Sequence, residues 1–116
     1  MDREVKKYLE DILVAIDEIN SFISQYPKRF DVFCTTPILF RAIQMNIAII
    51  GEATNRILKL NRDVSITNAR QIVNARNYVI HGYDSLRSEI LWAIVIRDLP
   101  LLKSEIEAII AQSHNP

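Results

Sequence analysis

An all-α fold, an up-and-down bundle of four to five helices, is what this sequence predicts. Three observations carry the prediction. Of 116 residues, 49% are hydrophobic, yet only two glycines and four prolines interrupt the chain. That is too few turn-formers for a strand-rich fold. Apolar residues recur at three- and four-residue spacing over long stretches. The connections between those stretches are short, which implies antiparallel neighbours. The length is that of one domain, residues 1–116. The apolar content exceeds the needs of one small core, and a helical bundle that dimerises has a use for the surplus.

The first helix is expected from about Arg3 to Gln25, with Val5, Leu9, Ile12, Ile16, Ile19 and Ile23 on its apolar face. Asp2 is a suitable cap, and Pro27 stops it. Lys28–Thr36 reads as a connector. Thr36 followed by Pro37 is a helix start, and the second helix runs to about Leu60. It is apolar nearly all round in Ile43–Ile50, which places it at the bundle centre or at a dimer seam. Gly51 costs helix stability and so points to a close helix–helix approach. Asn61-Arg62-Asp63 reads as a turn, and Ser65 or Thr67 can cap a third helix over roughly Ile66–His81. Gly82 suits the position just past its end. Asp84 or Ser85 caps a fourth helix from Leu86, in which Trp92 anchors a core contact. Pro100 falls inside that pattern, so the last helix is kinked or broken there, with Asp98 as a new cap. The tail from Gln112, with His114, reads as frayed.

Charge and composition remove several function classes. Fourteen basic residues balance fourteen acidic ones, so the molecule as a whole does not attract RNA or a membrane. The distribution is uneven: residues 1–27 carry −3, residues 28–87 carry +5 and residues 88–116 carry −2. Solvated helix faces of mixed sign explain this as readily as a binding patch does. The single cysteine, Cys34, precludes an internal disulfide, is expected to be an inert thiol in a loop, and fits a reducing cytosol. The charged start has no apolar signal segment after it, and no apolar run approaches membrane-spanning length. The expected location is therefore the cytoplasm, with no membrane. No Cys/His or carboxylate cluster has metal-ligand spacing, and the two glycines form no phosphate loop. Neither a metal nor a cofactor is called for.

The segment that can carry chemistry is Ala75-Arg76-Asn77-Tyr78-Val79-Ile80-His81-Gly82-Tyr83. Arg76 follows Ile72 by one turn, so it lies beside the apolar seam, where a guanidinium needs a partner. Glu52, on a mostly apolar helix, needs one too. Arg76 is one candidate for it, and a bond to the backbone or to Arg56 is an equally good alternative. His81 stands at a helix end that favours its charged form, and its titration near neutrality suits proton transfer. Arg76 and His81 are five residues apart, about 140° around a helix, whereas Asn77 and His81 share a face. One copy therefore makes a splayed site, and two copies about a two-fold axis can converge on one cleft. On the residues alone a structural account stands beside this one, with Arg76 in an ion pair and His81 as a helix-end cap.

Arg76-Asn77-x-x-x-His81-x-Tyr83 resembles the signature of the HepT-like branch of the HEPN superfamily. Tyr8-Leu9-x-Asp11-Ile12, Ile50-Gly51-Glu52-Ala53, Trp92 and Leu99-Pro100-x-Leu102 resemble further family segments, in order and at similar spacing. Val64–Asn68 departs from the proline- and tryptophan-containing turn of many relatives, so the start of the third helix is expected to differ. The resemblance implies a HEPN-like bundle and a metal-independent endoribonuclease toxin with RNA as substrate, paired with an MntA-like nucleotidyltransferase antitoxin. It implies Arg76 and His81 as the catalytic pair at a homodimer interface and Asn77 as the polar residue beside the arginine. It also implies Tyr83 as the tyrosine that the partner adenylylates. A second function stays open on the sequence: a non-catalytic helical module that docks a nucleotidyltransferase or binds nucleotide, in which both motif residues are structural.

Overall fold

The computed structural model describes residues 1–61, 63–81 and 85–113, and for residues 78–81 and 85–87 the backbone alone. Its described residues form an all-α bundle without strands. The helices are α1 (Arg3–Ile23), α2 (Phe30–Thr35), α3 (Pro37–Leu60), α4 (Ala69–His81), α5 (Ser85–Ala93) and α6 (Leu99–Ser113). A π-helical turn, Ile94–Asp98, joins α5 to α6. Gly82, Tyr83, Asp84 and His114 lie outside the described residues.

The apolar stripe of α1 predicts what it buries. Val5, Leu9, Ile12, Ile16 and Ile19 are inaccessible to solvent, and they pack chiefly on α3. Asp2 caps α1, accepting from the backbone N–H groups of Glu4 and Val5. The helix ends at Ile23, two residues short of the expected Gln25. α3 has the boundaries that Thr36-Pro37 and Leu60 predict. It is the central element, touching α1, α2 and α4. Its all-round apolar stretch is nevertheless not buried all round. Ile43, Ile47 and Ile50 are in the core, whereas Met45 and Ile49 are 68% and 45% exposed.

The connector expected between the first two long helices contains a helix of its own, α2. Its six residues are too few to stand alone, and an aromatic cluster holds them. Phe33 is fully buried, with ring centroids 4.7 Å from Phe40 on α3 and 5.1 Å from Trp92 on α5. Cys34 is thus an exposed helical residue and not a loop residue. Its thiol is pushed above its ordinary pKa by desolvation first, then by Asp31 and Glu89, against a hydrogen bond with Ser88. A thiol shifted in that direction is a poor thiolate nucleophile.

The start of α4 departs from expectation. Neither Ser65 nor Thr67 opens a helix at Ile66, and α4 begins at Ala69. The reason is tertiary. The Thr67 N–H and Oγ1–H both donate to the Glu105 carboxylate of α6. Asn68 adopts a left-handed backbone, φ 60°, and its Nδ2 donates to Asp98 at 3.3 Å. Asparagine is among the few residues for which that conformation is cheap.

Pro100 does not restart the helix with Asp98 as its cap. The chain stays helical through the π-turn, in which the Leu99 N–H reaches back five residues to the Ile94 carbonyl. The wider turn accommodates the residue before a proline that can donate no hydrogen bond of its own. The Asp98 side chain, only 1% exposed, accepts from Arg97 Nε at 3.0 Å and from Asn68. Two donors satisfy a carboxylate that would be costly to bury alone. No described helix is long and apolar enough to cross a membrane.

The aromatic cluster anchors α2 to the bundle, so Phe33→Ala should be severe. A loss of about 3–5 kcal/mol is expected, measured by chemical denaturation. A change below about 1 kcal/mol would show that α2 is not integral to the fold.

Candidate active site

Gly51 is the residue on which the site is built. A Cβ at this position would lie 3.0 Å from the Ile72 carbonyl oxygen and 3.2 Å from Arg76 Cβ. Only a glycine lets α3 and α4 approach so closely without displacement. The exchange is favourable because a helical glycine costs only about 1 kcal/mol relative to alanine. The close approach sets Arg76 directly against the next residue of α3, Glu52.

Arg76 Nη1 donates to Glu52 Oε2. Arg56 Nε donates to the other oxygen, Oε1, at 3.0 Å, one turn along α3. Both arginines that the sequence offers as partners are therefore engaged at once, and one carboxylate joins two guanidinium groups. The Arg76 side chain is 30% exposed, and that of Glu52 is 45% exposed. A pair this wet contributes at most about 1 kcal/mol to stability. Its effect is on direction: it fixes where the guanidinium of Arg76 points. The Glu52 carboxyl is held below its ordinary pKa, by the Arg56 hydrogen bond first and then by the bond and charge of Arg76, with desolvation opposing.

Asn77, the next residue on α4, is exposed. His81 is the last residue of α4, so its backbone place at a helix C-terminus is as predicted, while its side chain lies outside the described residues. Tyr83 does as well. The structure thus pairs Arg76 with Glu52 between α3 and α4, leaves Asn77 exposed as the next residue of α4, and carries the motif helix on to His81. Among the described residues no group of three or more His, Cys, Asp or Glu side chains converges in the manner of a metal site.

Two residues that position this corner were not legible in the sequence as such. Glu105 and Asp98 tie down the approach to α4 from a helix some thirty residues or more further along the chain. An acidic residue in an amphipathic helix gives no sign of which remote backbone it will meet. In the sequence Asp98 reads only as a cap before Leu99-Pro100, and not as a buried acceptor for a remote residue.

A bundle that presents a braced, half-exposed arginine five residues before a helix-terminal histidine defines the class: an all-helical domain with an Arg-x4-His motif on its fourth helix. The chain belongs to the Ribonuclease HepT-like family, whose pattern matches residues 12–109. It is 30% identical over 109 residues to a "Putative RNase" of Methanocaldococcus jannaschii, covering 92% of this chain and 97% of that protein. It is 32% identical over 111 residues to a "Probable ribonuclease HepT" of Thermococcus cleftensis, covering 92% and 96% respectively. A "Putative RNase" of Caldanaerobacter subterraneus subsp. tengcongensis is 29% identical over 108 residues, 90% of this chain and 93% of that one. No solved structure matches the chain significantly.

The depressed pKa of Glu52 gives a pH signature. A carboxyl whose folded pKa lies below its unfolded value stabilises the fold fully above the unfolded value, about 4.3. That contribution is lost as pH falls through the folded value. Glu52→Gln should therefore cost up to about 1 kcal/mol near neutrality, and the difference from wild type should shrink in acid below about pH 4. Urea denaturation at a series of pH values checks this. A difference independent of pH would show that the carboxylate charge plays no part.

Proposed function

We propose that this HepT-like protein is a metal-independent endoribonuclease, the toxin of a type VII HepT/MntA-like toxin–antitoxin pair, cutting RNA with Arg76 and His81. The observation that carries the reading is the half-exposed guanidinium of Arg76, held by Glu52 inside the Arg-x4-His motif of a HepT-like chain. The curated relatives bear ribonuclease names over their whole length, which supports RNA as substrate.

The chemistry needs few groups. The 2′-hydroxyl attacks the adjacent phosphorus, an O–P bond forms there, and the bond to the 5′-oxygen breaks. One proton leaves the 2′-oxygen and one arrives on the 5′-oxygen. An imidazole ordinarily titrates near neutrality, which suits His81 to serve as base or acid in that exchange. Arg76 braces the phosphate oxygens with forked, charge-assisted hydrogen bonds as their charge builds. Asn77, exposed beside Arg76, supplies a neutral polar contact. Glu52 is the positioning residue that aims the guanidinium.

The reading includes a homodimer. Tyr8, Met45, Ala48, Ile49 and Ala53 line a mainly apolar groove between α1 and α3, with the carboxylates of Asp11 and Glu52 also on its wall. Exposed Val14 extends it. A second copy laid on that face would bury the exposed apolar residues of α3 and bring two Glu52–Arg76 corners together. It would supply the convergence that the splay of Arg76 and His81 within one copy requires.

Neutralisation in this reading is covalent. The Tyr83 hydroxyl attacks the α-phosphorus of ATP on a partner nucleotidyltransferase, pyrophosphate leaves, and AMP stays on the tyrosine. Bulk and negative charge two residues from His81 would then exclude an RNA phosphate by occlusion and repulsion.

Expression of the chain alone, compared with Arg76→Ala and His81→Ala, tests catalysis. Both variants should keep the thermal stability of a folded bundle and lose RNA cleavage by about 10²-fold or more. Equal behaviour of all three proteins would leave only a scaffold. For regulation, mass spectrometry after co-expression with an MntA-like nucleotidyltransferase should show Tyr83 heavier by whole AMP units, with Tyr83→Phe unmodified. An unmodified Tyr83 in an inactivated complex would refute the covalent mechanism.

A further inference from the structure

Below the Arg76 corner, α3 and α4 diverge into an open groove of about 450 Å³ lined by Asn55, Leu58, Lys59, Ala69, Arg70 and Val73. None of these residues is acidic. Helical spacing makes the groove continuous with the site. On α3, Glu52, Asn55 and Lys59 follow at three and four residues, and on α4 Arg70, Val73 and Asn77 do the same. The helices are antiparallel. Lys59 therefore lies beside the start of α4, while Glu52 meets Arg76 one to two turns away. Lys59 and Arg70 are both exposed, and no ion pair engages either of them among the described residues. The acidic group at the other end, Glu52, is already shared between Arg76 and Arg56. The middle of the chain carries +5 in a molecule of zero net charge, and part of that excess is spread along this groove.

We propose that the α3–α4 groove is the track for the RNA backbone leading into the cleavage site. Lys59 and Arg70 contact phosphates upstream or downstream of the bond that Arg76 braces. The inference rests on the ribonuclease reading for its ligand and deepens it by placing the strand. Arg70 and Arg76 are six residues apart, about 9 Å along the helix, a span that one strand bridges without a fold in it. Two point charges flanking an apolar floor of Leu58 and Val73 suit a single strand. The backbone pairs with the cations, and the bases rest on apolar surface. Such contacts carry no sequence information, so the groove sets affinity and register and leaves the choice of cleaved sequence to the corner itself.

The probe is a fluorescently labelled, single-stranded 2′-O-methyl oligoribonucleotide, which binds like RNA but cannot be cut because its 2′-oxygen is blocked. Its affinity is measured by anisotropy across a salt series for wild type, Lys59→Gln/Arg70→Gln and, as a control on α1, Lys6→Gln/Lys7→Gln. Both groove positions are exposed, so the fold should tolerate the exchange, and circular dichroism verifies it. The groove variant should bind more weakly at every salt concentration. Its slope of log affinity against log salt should be shallower by about 1.4, or about 0.7 for each single-strand phosphate that is no longer neutralised. The control should match wild type. Wild type and groove variant with equal affinity and equal slope would overturn the inference, as would absence of binding by wild type. Cleavage of unmodified RNA is scored separately. A protein that cuts RNA but shows no groove dependence refutes the track alone, and one that binds through the groove but never cuts refutes the nuclease reading alone.

Discussion

The close contact of α3 with α4 at Gly51 is the constraint from which the site follows. A side chain there would meet the backbone of α4 at 3.0 Å, so the two helices can lie this near only while the position stays bare. The approach delivers Arg76 to Glu52. With both side chains at least 30% exposed, the ion pair adds little to stability. Its consequence is geometric. A guanidinium that would otherwise sweep through many rotamers is held at one place on the surface, which is what a group awaiting a phosphate requires.

α4 is held at its other end by a different device. Thr67 binds Glu105, and left-handed Asn68 binds buried Asp98, which Arg97 also engages. These contacts join the start of the motif helix to the last long helix at the π-turn before Pro100. The proline and the left-handed asparagine are local irregularities, and both lie where the start of the helix that carries Arg76, Asn77 and His81 meets the end of the bundle.

The electrostatics follow the same economy. Zero net charge leaves no long-range pull on a polyanion, and in the proposed reading local arrangement provides it. One carboxylate between two arginines neutralises the corner only partly, and the groove below it is lined without any acid. Apolar surface is likewise concentrated. Met45 and Ile49 are exposed on the face of α3 that runs up to Glu52, so the polar corner and the apolar face adjoin and one association could complete both.

How much of this could be read in advance divides by the range of the interaction. Local signals determined that the chain is helical (apolar periodicity), where α3 begins and ends (Thr36-Pro37 and the Asn61-Arg62-Asp63 turn) and that Gly51 marks a close approach (its helix cost), because each is a matter of one segment's own residues. The motif residues stood out through their resemblance to the HepT-like signature, whereas spacing by itself left a structural account of Arg76 and His81 open. What lay beyond reach came from contacts between distant segments. A six-residue α2 exists because Phe33 reaches Phe40 and Trp92. α4 starts at Ala69 and not at Ile66 because Glu105 and Asp98 claim the residues before it. Glu52 binds Arg76 as well as Arg56 because the helix approach brings Arg76 to one carboxylate oxygen while Arg56, one turn along the same helix, reaches the other. Sequence periodicity specifies which face a helix buries, whereas the partner that face or its polar neighbours will meet depends on packing, which only the tertiary structure decides.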